Sequence, residues 1–230
     1  MRRLLNIPWR SLPSWLNGNR LHILMYHSIS DNPNDPNAIS PTEFKRQMRL
    51  LQSAHVISLK EGLGLLRDKR LLKNTCVITF DDALLDFYTT AMPILKEFGY
   101  PSTMFVPTGL VGTNSVWDSY DKTKPLMNWE QIQECPKWGV SFGSHTVNHV
   151  RLTKCDDANL MSELNTSLQT LRDRLGNVIP ALAYPGGYYD DRVRDAVRRA
   201  GYVCALIAAS RWGNGSESDP FQLRRQRLTV

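Results

Sequence analysis

Three observations predict an α/β fold built on a largely parallel sheet. Apolar runs of strand length alternate with segments of helical periodicity along the chain, with no linker between them. The polar groups of most chemical interest fall where an apolar run ends: His27, Asp81 with Asp82, His145, and the turn Pro185-Gly186-Gly187. In parallel α/β barrels that end of the strands is where active sites are built. Finally, a chain of 230 residues suits one such barrel. Residues 21–230 are therefore read as a single domain behind a leader of residues 1–20.

The elements follow in order. Leu21 to Tyr26 is an apolar strand that ends at His27. Residues 31–37, rich in Asn, Asp and Pro, form a loop. Ser40-Pro41-Thr42-Glu43 starts a helix, with Ser40 as cap, Pro41 at the first helical position and Glu43 closing a capping box. Ile57 and Leu59 suggest a short strand, and Lys60 to Lys69 a helix. Thr75 to Phe80 is a β-branched run that stops at two aspartates. A short helix with Pro93 in its first turn ends at Gly99. Thr103 to Val106 is a strand, residues 108–121 a long polar loop, and Trp129 to Cys135 a helix. Val140 to Gly143 leads into His145. Asp156 or Asp157 caps a helix that presents Leu160, Leu164, Leu168, Leu171 and Leu175 on one face, and Gly176 ends it. Ala181 to Tyr184 is a strand, Asp190 or Asp191 caps the next helix, and Tyr202 to Ala208 and Phe221 to Val230 are the last strands.

Composition narrows the function classes. Hydrophobic content of 42% and charged content of 22% are those of an ordinary globular protein. The net charge of +6 suits an anionic glycan, a membrane surface or a nucleic acid. No nucleic-acid motif or aromatic-basic interleaving is present, which argues against nucleic acid. There is no G-x-G-x-x-G and no P-loop, so no nucleotide cofactor is indicated. Cys76, Cys135, Cys155 and Cys204 make no C-x-x-C pair, which disfavours a thiolate zinc site and a disulfide framework. Cys76 and Cys204 lie in apolar runs and are read as buried thiols. The stretch Leu4 to Trp9 is too short for a signal-peptide core or a bilayer span. The expected location is therefore cytoplasmic. Trp9 and Trp15 with Arg2, Arg3 and Arg10 suit peripheral contact with the inner face of a membrane; a loosely packed leader is the alternative. The sequence does not set an oligomeric state.

Two side-by-side carboxylates on a regular strand would point to opposite faces, but at a strand's end both can face one pocket. Held close, Asp81 and Asp82 need a cation, a shared proton or water to offset their repulsion. Otherwise one caps a helix and the other is solvated. His145 and His149 are four apart, so one helical turn would put both on the same face, able to chelate a metal; two solvated histidines are the alternative. With Asp82 as third ligand they would make a His-His-Asp site with open positions, as catalytic rather than structural sites have. Such ligands suit a divalent ion, zinc above all, with nickel or cobalt as substitutes.

Thr79-Phe80-Asp81-Asp82, Ser144-His145-Thr146-Val147-Asn148-His149 and Ala183-Tyr184-Pro185-Gly186-Gly187 resemble, in order and spacing, the first three motifs of the polysaccharide deacetylases, the NodB-homology enzymes of carbohydrate esterase family four. The resemblance runs from about Leu21 to the end of the chain. It implies a distorted (β/α) barrel and metal-dependent removal of N-acetyl groups from amino sugars in a glycan, oligosaccharide or glycolipid. It also implies that Asp81 is the general base and that Asp82, His145 and His149 hold the metal.

The usual late histidine that would serve as general acid is missing, because no His follows His149. However, Ile23-Leu24-Met25-Tyr26-His27 resembles the N-terminal Met-Tyr-His strand of the poly-N-acetylglucosamine deacetylase branch, in which the last motif comes first. That makes His27 the candidate acid. The third motif lacks the usual base-positioning Arg, for which Arg225 or Arg227 is the replacement. Its usual aromatic is Gly186, whose N–H beside Pro185 would be an oxyanion donor, leaving Tyr188, Tyr189 or Trp212 to stack on the sugar. Two other readings remain in the same fold. A metal-independent amidohydrolase of small cyclic amides would not need Asp82, His145 and His149, and a non-catalytic carbohydrate-binding relative would be expected to have lost Asp81 or a ligand.

Overall fold

A computed structural model describes residues 18–208 and 213–227. The leader, including Trp9, Trp15 and the arginines beside them, lies outside the described residues, as does Trp212. The chain order is β1 (Leu21–Tyr26), β2 (Ser28–Ile29), β3 (Ala38–Ile39), α1 (Pro41–Leu50), β4 (His55–Val56), α2 (Leu59–Arg67), β5 (Thr75–Phe80) and α3 (Met92–Phe98). There follow β6 (Ser102–Val106), α4 (Trp129–Glu134), β7 (Val140–Ser144), α5 (Asp157–Leu175), β8 (Ala181–Ala183), α6 (Asp191–Arg199), β9 (Cys204–Ile207) and β10 (Leu223–Gln226).

The main sheet runs β1-β10-β9-β8-β7-β6-β5, and a β1–β5 pairing closes it into a parallel barrel of seven strands. β4 adds a short pairing at the start of β5. Alternation sorts the side chains into two layers. Leu21, Ile23, Val77, Phe105, Ala183, Leu206 and Leu223 fill the interior. Leu24, Tyr26, Ile78, Phe80, Met104 and Phe142 face outward, packed with Phe44 and Met48 of α1 and Leu95 of α3. α5 and α6 cover Leu182, Tyr184 and Ala205 in the same way. Gly143 lets Phe105 fill the interior, since a Cβ at 143 would lie 2.6 Å from its ring.

The structure departs from the sequence reading at several boundaries. The strand beside β5 is His55–Val56, one step earlier than Ile57 and Leu59, with Ile57 N–H still donating to Cys76 O at 2.9 Å. Ser58 caps α2 in a full capping box with Glu61, which draws Leu59 into the helix. At α1, Ser40 caps as expected, but Glu43 binds Arg46 at 2.6 Å instead of closing a box. Asp156 and Asp190 are the caps of α5 and α6. β9 begins only at Cys204, because Tyr202 packs outward with its hydroxyl on Leu164 O. Cys76 and Cys204 are buried free thiols, both pushed up to about 12 by burial.

Candidate active site

The mouth of the barrel is assembled by register. Tyr26 lies opposite Phe80, so the residues that follow, His27 and Asp81, emerge side by side. The Asp81 N–H donates to Tyr26 O at 3.0 Å. Val106 lies opposite Ser144, and His145 N–H donates to Val106 O at 2.9 Å. Because the interior positions alternate, the series Ile23-Met25-His27, Val77-Thr79-Asp81, Gly143-His145 and Leu223-Arg225 all continue inward-facing rows. The polar groups at the mouth are thus the last members of the rows that fill the core.

Asp82 leaves this pattern. Its φ of 73° and that of Ala83, 54°, are left-handed. That reversal is what turns the second carboxylate toward His145 and His149, at a backbone cost typical of functional sites. Asp82 Oδ1 then lies 3.5 Å from His145 Nε2 and 3.3 Å from His149 Nε2. Ligand atoms from all three residues fall within 4.8 Å of one another.

The two histidines do not sit on a helical turn, as their spacing suggested. Residues 145–149 form an irregular turn in which Thr146 has φ 67° and His149 φ 54°. Its main-chain groups are satisfied from outside: Thr108 N–H donates to Thr146 O, Gly109 N–H to Val147 O, and Glu163 accepts from the N–H groups of Val147 and Asn148. Gly109 is required there, because a Cβ would come within 2.7 Å of the Val147 side chain. Trp117 stacks on the His149 ring at 4.4 Å between centroids.

Protonation favours a metal. His145 Nδ1 donates to Ala183 O at 2.8 Å, which leaves the Nε2 lone pair facing Asp82. Burial lowers the His145 pKa to about 4 against the pull of nearby carboxylates, so the ring is neutral at neutral pH. Burial works against ionising Asp82, but the close His149 ring and the other imidazoles around it outweigh burial and hold the carboxyl well below its usual range. Asp82 Oδ1 is nevertheless buried without a hydrogen-bond partner. An ionised, orphaned oxygen facing two imidazole nitrogens has the chemistry of a ligand set. Ligands about 2.0–2.2 Å from a tetrahedral ion lie about 3.3–3.6 Å apart, which matches the separations from Asp82 to both rings.

Asp81 is engaged differently. Arg225, 1% exposed, rises from β10 inside the barrel and grips both carboxylate oxygens, Nη1 to Oδ1 at 2.6 Å and Nη2 to Oδ2 at 2.7 Å. Burial pushes the Asp81 carboxyl up, but Arg225, His145 and His27 together hold it below the usual range. His27 Nε2 stands 3.9 Å from Asp81 Oδ2, its side chain 20% exposed. Of the two arginines the sequence offered, Arg227 turns away and donates to Pro36 O.

The Pro185-Gly186-Gly187 turn follows β8 as a kinked turn, with Gly186 at φ 63° and Gly187 at φ 74°, both left-handed. Tyr188 is half exposed and lies against the Arg151 guanidinium at 3.5 Å. Tyr189 stacks on Tyr184, beneath the helices rather than over the mouth. Sequence reasoning missed Glu163 and also Asp86. Asp86 accepts from Ser28, next to His27, at 2.5 Å. Burial raises its pKa. Both contacts span distances in sequence that no local pattern reveals.

Comparison with known proteins identifies the family. The family profile described as Polysaccharide deacetylase matches residues 68–205. YxkH of Bacillus subtilis (strain 168), which bears a polysaccharide deacetylase name, is 30% identical over 199 residues, covering 84% of this chain and 67% of that protein. The poly-beta-1,6-N-acetyl-D-glucosamine N-deacetylase of Staphylococcus aureus (strain MSSA476) is 28% identical over 194 residues, 80% of this chain and 65% of that one. The chain thus spans about two thirds of the length of the curated relatives it matches. The solved structure of Streptococcus pyogenes deacetylase PplD in complex with acetate superposes with a TM-score of 0.79 at 28% identity, covering 91% of this chain and 92% of that one. With its closed parallel barrel, the chain belongs to the polysaccharide deacetylase family of NodB type, carbohydrate de-N-acetylases that hydrolyse amide bonds, and the relative named as a poly-beta-1,6-N-acetyl-D-glucosamine N-deacetylase supports the poly-N-acetylglucosamine branch.

Proposed function

We propose that this protein is a metal-dependent N-deacetylase that hydrolyses the acetamido group of N-acetylhexosamine in a glycan, with poly-β-1,6-N-acetylglucosamine the first substrate to test. The observation that carries the reading is the orphaned Asp82 Oδ1 between two imidazole nitrogens, beside a separately held second carboxylate. Asp82, His145 and His149 hold the ion. Asp81 takes the proton of the water that attacks the acetamide carbonyl, and Arg225 fixes its plane and keeps it ionised. A carboxylate held below its usual range is a weak base, so it needs an acidified water; a divalent ion would supply that acidity and polarise the carbonyl. His27, on the exposed side of Asp81, donates a proton to the departing amine. Gly186 N–H is the proposed oxyanion donor and Tyr188 the proposed sugar-stacking surface.

The test is acetate release from a panel of N-acetylated glycans and glycolipids, before and after chelator treatment and zinc readdition. The reading requires release that chelator stops and zinc restores, and loss of bound metal in His145→Ala. Release indifferent to chelator would favour the metal-independent amidohydrolase, and binding without release the non-catalytic relative.

A further inference from the structure

We propose that Glu163 is the positioning residue for the two histidines of the metal site. The proposal rests on the metal reading above and deepens it. Thr146 and His149 both occupy the left-handed region, which a β-branched residue such as Thr146 strongly disfavours. The turn therefore does not hold its shape by itself. Ser144 Oγ accepts from Thr146 N–H at 3.1 Å, and Ser167 Oγ donates to Thr146 O at 3.0 Å, which fixes the first half. The second half, which decides where His149 lies relative to His145, is held at one carbonyl by Gly109 N–H and at both of its N–H groups by Glu163. Its Oε2 accepts the N–H groups of Val147 and Asn148 at 2.8 and 3.0 Å, and its Oε1 accepts Asn148 Nδ2 at 2.6 Å.

Glu163 and Ser167 are four apart on α5, so one helix face meets the whole turn. Three donors converge on Glu163, and a carboxylate accepts all of them with no donor of its own. His145 has its ring pinned to Ala183 O. The second ligand depends on the turn. If Glu163 lets go, the backbone can relax toward ordinary φ values and carry His149 away from Asp82.

The test exchanges the polarity of the contact. In Glu163→Gln, one oxygen can still accept the two main-chain N–H groups, but the new amide NH2 opposes the NH2 of Asn148. Asn148→Asp in the same chain replaces that donor by an acceptor and restores the match. Zinc affinity is read by competition with a chromophoric chelator, melting temperature on the metal-free proteins, and hydrogen exchange at the amides of 147 and 148 on the same metal-free samples. The expected result is a Glu163→Gln protein that melts near wild type, exchanges both amides faster and binds zinc about 10–100-fold more weakly. The Glu163→Gln/Asn148→Asp protein should recover both properties, which a general effect on α5 would not produce. Wild-type zinc affinity in Glu163→Gln overturns the proposal, and so does a double variant whose amides recover while its affinity does not. Wild-type protein that binds no zinc overturns the functional reading itself, and is distinguished from both.

Discussion

At the bottom of the barrel, α2 packs on the strand starts so closely that a Cβ at Gly62 would lie 3.0 Å from Leu21 and 3.2 Å from Val77. At the mouth, the same inward rows end in His27, Asp81, His145 and Arg225, and apolar filling gives way to charge. Left-handed residues occur at both ends, but Lys69 and Asn74 below sit in an accessible turn, whereas Asp82, Ala83 and Thr146 above are buried. Strain in an exposed turn is easily relieved. Strain in a buried turn persists only where neighbours over-determine it, as Glu163, Thr108 and Gly109 do here. The bottom thus contributes stability through shape, and the mouth draws on that stability to hold groups that would otherwise repel or relax.

If this division is right, variants at the two ends should separate rate from stability. Asp81→Asn should show the largest effect, a loss of about a hundredfold to ten-thousandfold in deacetylation with metal retained. Metal lost from Asp81→Asn, with a rate restored by added zinc, would mean that Asp81 and Asp82 have exchanged roles. His27→Ala should slow amide substrates strongly while sparing activated esters, whose leaving groups need little protonation. Equal losses on both would make His27 structural.

Arg225→Met tests the place where the two ends meet. Removing one partner of a buried ion pair typically costs about 3–5 kcal/mol, so urea midpoints should fall. The sign of the pH effect follows from Asp81. Without Arg225, burial, which pushes its carboxyl up, is opposed only by the weaker histidine contributions. The active, ionised base then appears at higher pH, and the acid limb of the rate profile should move upward. An unmoved limb would show that Arg225 does not set the state of Asp81. Gly62→Val should give the smallest and opposite result, a loss of about 1–3 kcal/mol from overpacking with turnover and zinc affinity unchanged. A fall in turnover that outruns the fall in stability would mean that the bottom communicates with the site.

Much of this was legible because the signals were local. An apolar run that stops at Asp81-Asp82, and an H-x-x-x-H pair after Gly143, report on themselves. So did alternation, which predicts a parallel sheet and which strand ends matter. The shape of residues 145–149 was not legible, since helical spacing and an irregular turn are both compatible with two histidines four apart. What selects the turn is Glu163, 16 residues from Val147, together with Gly109 on another loop. Arg225 and Arg227 were indistinguishable in sequence, being two apart on the same side of a strand. The strand ends at Gln226, so Arg225 stays inside the barrel while Arg227 lies beyond the ladder and reaches Pro36.

The first and last described strands, β1 and β10, are neighbours in the ring, and the arginine that grips Asp81 rides on the latter. Asp81 and Arg225 are 144 residues apart. At roughly 5–20 residues per second, a ribosome delivers the arginine some 7–29 s after the aspartate. By then Asp82, His145 and His149 have all been made, so an emerging chain can present the proposed metal ligands before the proposed base has its partner. The carboxylate meets its partner only when the last strand slots between β9 and β1. Closure of the ring and the pairing of Asp81 are then one event, and a chain cut short before β10 would carry the proposed ligands without the arginine that grips Asp81.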